Sequence, residues 1–232
     1  MSSGAILLCG GRGERLGLGV PKALAALAGR PLCTFPLEAL ERCAAIEAIV
    51  VVGPVRALRE ALAAAGIGAG KIVAWTEGGR ERQHSVARGL AALPAGCDLV
   101  VIHDAARALV GTELVGRVLA DARTHGAAIA ALPVEDTLKR GALGVIEGTV
   151  PRAGLWRAQT PQAFRRDWIE AAHREAAASR GAAATDDAAL VEALGHRVHL
   201  TPGEAMNFKI TSREDLELAE ALVAGRSHIK GV

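Results

Sequence analysis

The stretch Leu7-Leu8-Cys9-Gly10-Gly11-Arg12-Gly13-Glu14-Arg15-Leu16-Gly17-Leu18-Gly19-Val20-Pro21-Lys22-Ala23-Leu24 decides how this chain is read. A short apolar run gives way to glycines. Two arginines and a Pro-Lys pair follow, and then a new apolar run. This is the pattern of a strand that opens into a loop around a polyphosphate. Gly10, Gly11 and Gly13 let the backbone turn tightly and present N–H groups to an anion. Arg12, Arg15 and Lys22 bring positive charge within reach of the same phosphates. The bland alternative is a glycine-rich turn with solvated charges.

Two familiar glycine loops are excluded. A P-loop needs Gly-x-x-x-x-Gly-Lys-Ser/Thr, whereas Lys22 follows Pro21 and precedes Ala23. A dinucleotide fingerprint needs a third glycine where Leu16 stands. It also needs an acid at the end of the second strand, and that strand runs out at Gly53 with none beside it. A nicotinamide-dependent dehydrogenase is therefore disfavoured.

Outward from the loop, strand-like and helix-like segments alternate. Residues 5–9, 48–52, 71–75, 99–103, 127–132 and 197–201 read as strands. Residues 31–43, 56–65, 82–93, 112–124, 168–178, 187–194 and 213–224 read as helices, with Thr112 expected as an N-cap. This alternation implies a largely parallel, doubly wound α/β sheet whose ligands bind beyond the carboxyl ends of the strands. Residues 133–151 break the pattern. They are polar, carry Gly141, Gly144 and Gly148, and are too long for a plain connection. They read as a projecting β-hairpin arm with strand pieces at 137–139 and 144–146. An arm that buries little against its own domain packs on a partner, so a homodimer is expected. No repeat, linker or second domain interrupts residues 1–232.

At 232 residues the chain can build one domain with a sizeable core. A net charge of +2 argues against a general nucleic-acid binder. Aromatics make up 3% of residues and Tyr is absent, which removes stacking platforms for single strands. Cys9, Cys33, Cys43 and Cys97 show no Cys-x-x-Cys spacing and no zinc pattern, so buried reduced thiols in a cytoplasmic protein are expected. Leu7-Leu8-Cys9-Gly10 lacks the flanks of a lipoprotein signal. No apolar run approaches the roughly 20 residues that span a bilayer.

Five further segments fall near expected strand ends. Gly78-Gly79-Arg80-Glu81-Arg82-Gln83-His84-Ser85-Val86 enters a helix from a glycine turn; Ser85 can bond a base or ribose, or the segment simply caps the helix. Val101-Ile102-His103-Asp104-Ala105-Ala106-Arg107 sets an acid just past a buried strand, placed for Mg²⁺ or sugar hydroxyls. Arg107 can hold a phosphate or pair with Asp104. His103 reads as a core histidine rather than a base. Thr137 and Lys139 open the arm and can bond a phosphate, or lie on a solvated edge. Residues 152–164 form an ordered, Pro-bounded turn offering Arg152 and Thr160 to a ligand, with Trp156 and Phe164 as core. Thr185-Asp186-Asp187 caps a helix or offers a ligand contact. Lys209, between Phe208 and Ile210 on a strand-like segment, points into a site.

The order of these segments carries more than any one. Gly-Gly-x-Gly-x-Arg…Pro-Lys, Glu-Arg-x-x-Ser-Val, His-Asp-Ala-Ala-Arg, Asp-Thr-x-Lys, Gln-Thr-Pro-Gln-x-Phe, Thr-Asp-Asp and Asn-x-Lys-Ile-Thr together resemble the 2-C-methyl-D-erythritol 4-phosphate cytidylyltransferase family over nearly the whole chain. The resemblance implies a Rossmann-like fold and transfer of CMP from CTP to 2-C-methyl-D-erythritol 4-phosphate in the non-mevalonate isoprenoid pathway. Arg15, Lys22 and Lys209 would be catalytic. Gly10, Gly11, Gly13, Gly79, Ser85 and Ala105 would hold the nucleotide. Asp104, Arg107, Thr137, Arg152, Thr160 and Thr185 would contact the acceptor, with Thr137 and Arg152 reaching the neighbouring subunit. Mg²⁺ would ride mainly on the CTP phosphates, with Asp104 as a protein ligand. A cytidylyltransferase for ribitol 5-phosphate or another polyol phosphate shares much of this pattern. A catalytically inactive nucleotide-binding regulator would not keep Arg15, Lys22, Asp104, Arg107, Arg152 and Lys209 together. The chain departs from the family at Cys9-Gly10, where Ala-Ala is frequent, at Ala108, where Pro is usual, and at Arg80, often small or acidic.

Overall fold

The computed structural model describes residues 1–11, 13, 17, 19–68, 70–179 and 184–229, with side chains up to residue 225. Arg12 and Arg15, two of the expected loop cations, lie outside the described residues.

The chain runs β1 (Ser2–Leu8), a 3₁₀ turn (Lys22–Leu24), β2 (Ala26–Leu27), β3 (Arg30–Pro31), α1 (Thr34–Arg42), β4 (Ala48–Val52), α2 (Val55–Ala64), β5 (Ile72–Thr76), α3 (Arg82–Ala92), β6 (Cys97–Asp104) and α4 (Thr112–His125). It continues through β7 (Ala127–Pro133), β8 (Leu138–Ala142), β9 (Val145–Val150), β10 (Trp156–Arg165), α5 (Arg166–Ala178), α6 (Asp187–Ala193), β11 (His199–Pro202) and α7 (Arg213–Ile229). Seven strands form the central sheet in the order β11-β7-β10-β6-β1-β4-β5. All its pairings are parallel except those of β10, which is antiparallel to β6 and β7.

The expected doubly wound sheet is thus present, and its strands read as continuous apolar runs because both faces are covered. Side chains alternate across the pleat. Leu7, Ile49, Val51, Leu99 and Val101 face one core with α1, α2 and α4. Ile6, Val50, Val52, Val100 and Ile102 face the other with α3, α5 and α6. A smaller cluster of Leu27, Leu32, Leu109, Ile210 and Leu216 seats α7 over β2.

The structure corrects three local expectations. Residues 156–165 are a strand, not a turn. The ladder with β7 breaks between Ala158 and Gln162, and Pro161, which has no N–H to give, sits in that break. Phe164 is fully buried, whereas Trp156 is 44% exposed and is not core. Second, Thr112 does not cap α4: Gly111 does, and the Thr112 hydroxyl instead donates to the Ala39 carbonyl at 3.2 Å, tying α4 to α1. Third, Lys209 lies outside any strand; its segment is anchored by the Ile210 N–H on the Ala106 carbonyl at 2.8 Å. The expected cap at Asp186 is present, its carboxylate accepting from the Ala189 N–H at 3.0 Å.

Residues 133–151 do contain a hairpin. β8 and β9 pair as a separate two-stranded sheet, turning at Leu143 and Gly144, both at positive φ. Leu143, Val145 and Ile146 are exposed on it. All four cysteines are free and buried. Among the described residues no helix is long and apolar enough to cross a membrane.

Candidate active site

β1 runs outward to β4 on one side while β6 returns on the other, so the crevice opens where the strand order reverses, the usual ligand position in such sheets. Leu8 and Asp104 are register partners at the ends of these two strands. A cavity of about 340 Å³ lies there, between the loops after β1, β5 and β6. Small-molecule sites begin at about 300 Å³.

The glycine loop forms one wall. The Lys22 N–H donates to the Gly11 carbonyl at 3.2 Å, closing the loop and starting the 3₁₀ turn that aims Lys22 into the cavity. Gly13 sits against this turn at φ +67; a Cβ there would lie 3.3 Å from the Lys22 nitrogen. The opposite wall is the turn into α3. The Gly79 N–H donates to Ser85 Oγ at 2.9 Å, and that hydroxyl donates to the Glu81 carbonyl at 3.2 Å. A Cβ on Gly79 would meet the His84 backbone at 2.9 Å, so only glycine fits. Ser85 therefore shapes the loop as well as lining the cavity.

The floor is charged. Asp104 accepts from Lys209 Nζ at 2.7 Å and from Arg82 Nε at 3.1 Å, one on each carboxylate oxygen. Burial pushes the Asp104 carboxyl up, but Arg82 and Lys209 outweigh it and hold it well below the usual carboxylate range. Arg107 does not pair with Asp104. Its guanidinium instead donates to the carbonyls of Asn207, at 2.8 Å, and Ala158, at 3.1 Å. It braces the loop carrying Lys209 against β10.

His103 is a satisfied core histidine, as expected. Its Nε2 donates to the Arg107 carbonyl at 3.2 Å, and its Nδ1 faces Thr160 Oγ1 at 3.1 Å. The Thr160 hydroxyl also accepts from the Asp104 N–H at 3.1 Å. A carbonyl can only accept, so Nε2 carries the proton and Nδ1 accepts a hydrogen bond from the Thr160 hydroxyl. The imidazole must stay neutral, and burial pushes its pKa down from 6.5 to about 4 despite the neighbouring Asp104. Between pH 6.5 and 4 the unfolded chain binds a proton that the folded His103 refuses. As pH drops through that window, stability drops by up to about 1.4 kcal/mol per pH unit, and it is flat in this contribution above the window. Denaturant titrations should show His103→Gln losing this slope; an unchanged slope would refute the assignment.

The cavity thus gathers Gly10, Gly11, Lys22, Gly79, Ser85, Asp104, Ala105 and Lys209 of the expected residues. Thr160 lies beneath it, behind Asp104. Arg107 is set back among backbone carbonyls. Thr185 is exposed before α6, and Thr137 is exposed at the base of the arm. Arg152, exposed at the arm's other end, donates to the Glu135 carbonyl. Arg82 was missed: it stands in the Glu-Arg-x-x-Ser-Val motif, but nothing in the sequence assigned it a role of its own. Among the described residues no group of three or more His, Cys, Asp or Glu side chains could hold a metal ion. The charge pattern of Lys22, Arg82 and Lys209 around one buried carboxylate suits an anionic ligand.

A family model described as 2-C-methyl-D-erythritol 4-phosphate cytidylyltransferase matches residues 4–225. A protein of that name from Geobacillus kaustophilus is 43% identical over 229 residues, covering 97% of this chain and 99% of that one. The bifunctional enzyme IspD/IspF of Rhodospirillum rubrum is 47% identical over 227 residues, covering 95% of this chain; the match spans 57% of that longer protein. The crystal structure of 2-C-methyl-D-erythritol 4-phosphate cytidylyltransferase from Thermus thermophilus superposes with a TM-score of 0.79 at 37% identity, covering 97% of this chain and 100% of the other. With the family's glycine loop, Asp104 and Lys209 converging on one cavity and this match along nearly its whole length, the chain belongs to the 2-C-methyl-D-erythritol 4-phosphate cytidylyltransferase family.

Proposed function

We propose that the chain transfers CMP from CTP to 2-C-methyl-D-erythritol 4-phosphate, releasing pyrophosphate. The observation that carries this reading is the cavity itself. It sets a glycine loop with Lys22 opposite an Asp104 shared by Lys209 and Arg82. Turns rich in backbone N–H groups suit a triphosphate. The acceptor phosphate oxygen attacks the α-phosphorus, and the bond to the bridging oxygen of pyrophosphate breaks. No covalent intermediate with the protein is needed, so the side chains act by positioning and by stabilising charge. Arg15 and Lys22 bind the triphosphate and stabilise the crowded α-phosphoryl. Gly10, Gly11, Gly13, Gly79, Ser85 and Ala105 hold the cytidine, mainly through the backbone. Lys209 reaches the phosphates, and Asp104 the acceptor.

Mg²⁺ fits this site as a cation carried by the triphosphate. Asp104 would serve as one ligand once Lys209 has left its oxygen, and its two bound cations leave little charge for a dedicated metal cage. Bound there, Mg²⁺ would neutralise phosphate charge. The exposed apolar residues of the arm support a homodimer in which Thr137 and Arg152 contact the neighbour's acceptor. Arg107, Thr160 and Thr185 complete the acceptor side, Arg107 and Thr160 by holding its walls. Four buried free thiols support a reducing, cytoplasmic setting.

The test is pyrophosphate release with CTP, Mg²⁺ and three acceptors: 2-C-methylerythritol 4-phosphate, ribitol 5-phosphate and glycerol 3-phosphate. Release with the first alone is the expected result. Release with ribitol 5-phosphate instead would move the protein to another pathway, and silence with all three would overturn the reading.

A further inference from the structure

From Arg82 and Asp104 on the cavity floor a line of charges runs inward to Asp187 and His173, and the transfer chemistry above gives Arg82, Asp187 and His173 no step of their own. Arg82 opens α3 and faces two carboxylates. Its Nε donates to Asp104 at 3.1 Å and its Nη1 to Asp187 at 2.6 Å. Asp187 opens α6, is 1% exposed, and takes a second hydrogen bond on its other oxygen from His173 Nε2 of α5 at 3.0 Å. Asp187 and His173 do not line the cavity. The planar guanidinium can bridge two acids in fixed geometry, which a lysine cannot. Burial disfavours the charge on Arg82, yet Asp187 and Asp104 together hold it protonated above its ordinary range.

Asp104 therefore has one fixed cation and one movable one. Arg82 is tethered to two acids, while Lys209 has a flexible stem and a side chain 43% exposed. If Lys209 were the sole partner of Asp104, its departure would strand a buried carboxylate, which is strongly unfavourable. With Arg82 in place, Asp104 keeps a charged partner when Lys209 leaves.

We infer that Arg82, clamped by Asp187 and His173, is a positioning residue that frees Lys209 to exchange from Asp104 to a substrate phosphate, an inference that rests on the proposed CMP transfer. Arg82 then matters for turnover through Lys209, and Asp187 matters through Arg82. A strut that merely joins α3 to α6 would affect stability alone.

The experiment measures steady-state kinetics and thermal midpoints of the full chain with Asp187→Asn and, as a second variant that keeps the positive charge, Arg82→Lys. Each is made in the wild-type and Lys209→Ala backgrounds. The expected result for each is a roughly 10- to 100-fold lower kcat with KM for CTP changed by less than about twofold. In the Lys209→Ala background that loss disappears, because no ammonium remains to be released. Wild-type kcat in both folded variants would overturn the inference, as would an equal loss in the Lys209→Ala background. A rise in KM for CTP at constant kcat would overturn it too, making Arg82 a direct nucleotide ligand. A wild-type chain inert towards CTP and 2-C-methylerythritol 4-phosphate overturns the transfer reading and this inference together, whereas an active wild type with unaffected variants overturns this inference alone.

Discussion

Lys22→Ala lowers kcat by roughly 10²- to 10³-fold, the loss seen when one preorganised stabiliser of transition-state charge is removed. The substitution leaves the fold intact for a local reason. What the backbone needs at this position is the N–H on the Gly11 carbonyl and the 3₁₀ turn of Lys22–Leu24, and alanine supplies both. Backbone anchors hold the residues that follow Lys22. The Cys33 N–H donates to the Ala23 carbonyl at 2.9 Å, and Leu32 to that of Ala25 at 2.9 Å. The thermal midpoint should therefore stay close to wild type while pyrophosphate release collapses. Much of the loss belongs in kcat rather than KM, because the charge on the α-phosphoryl oxygens and the leaving pyrophosphate grows as the reaction proceeds. Turnover near wild type in a folded Lys22→Ala protein would remove Lys22 from the chemistry.

The elements that converge on Lys22 were legible in the sequence because they are local. Strands covered on both faces appear as unbroken runs such as Ala-Ile-Val-Val-Val at 48–52, and a glycine loop follows the first of them. Asp104 stood out as an acid just past such a run. β10 was not legible. Gln159, Thr160, Pro161 and Gln162 interrupt its apolar pattern, and what allows their burial is distant in sequence. Gln159 bonds Glu204 and Asn207, Thr160 bonds His103, and Gln162 bonds Asp186 and the Ala188 N–H. A polar residue reads as loop until its partner is known. The same blindness hid the pairing of Arg82, whose two acids lie 22 and 105 positions away, and the bracing of Arg107, whose carbonyl partners lie 51 and 100 positions away. Local pattern gave the strand ends, and the long-range pairs that orient the charges there needed the fold.

Arg152→Ala should weaken 2-C-methylerythritol 4-phosphate far more than CTP. Arg152 stands apart from the cavity, exposed at the arm's end and linked to the Glu135 carbonyl. A hydrogen bond to a charged group contributes about 1.5–3 kcal/mol, so KM for the acceptor should rise roughly 10- to 150-fold. If the arm completes the partner's site, Arg152 and Lys22 of one site come from different chains. The two variants should then complement. A mixed dimer of Arg152→Ala and Lys22→Ala chains has one site with both defects and one with neither. Random mixing of equal amounts makes half the dimers mixed, each with one intact site of two, so activity recovers to about a quarter of wild type. The exposed Leu143, Val145 and Ile146 give the arm an apolar surface to bury in such a dimer. If Arg152 served its own chain, the mixture would contain no intact site at all. Activity no higher than that of the two parents would therefore assign each site to a single chain and leave the arm outside it.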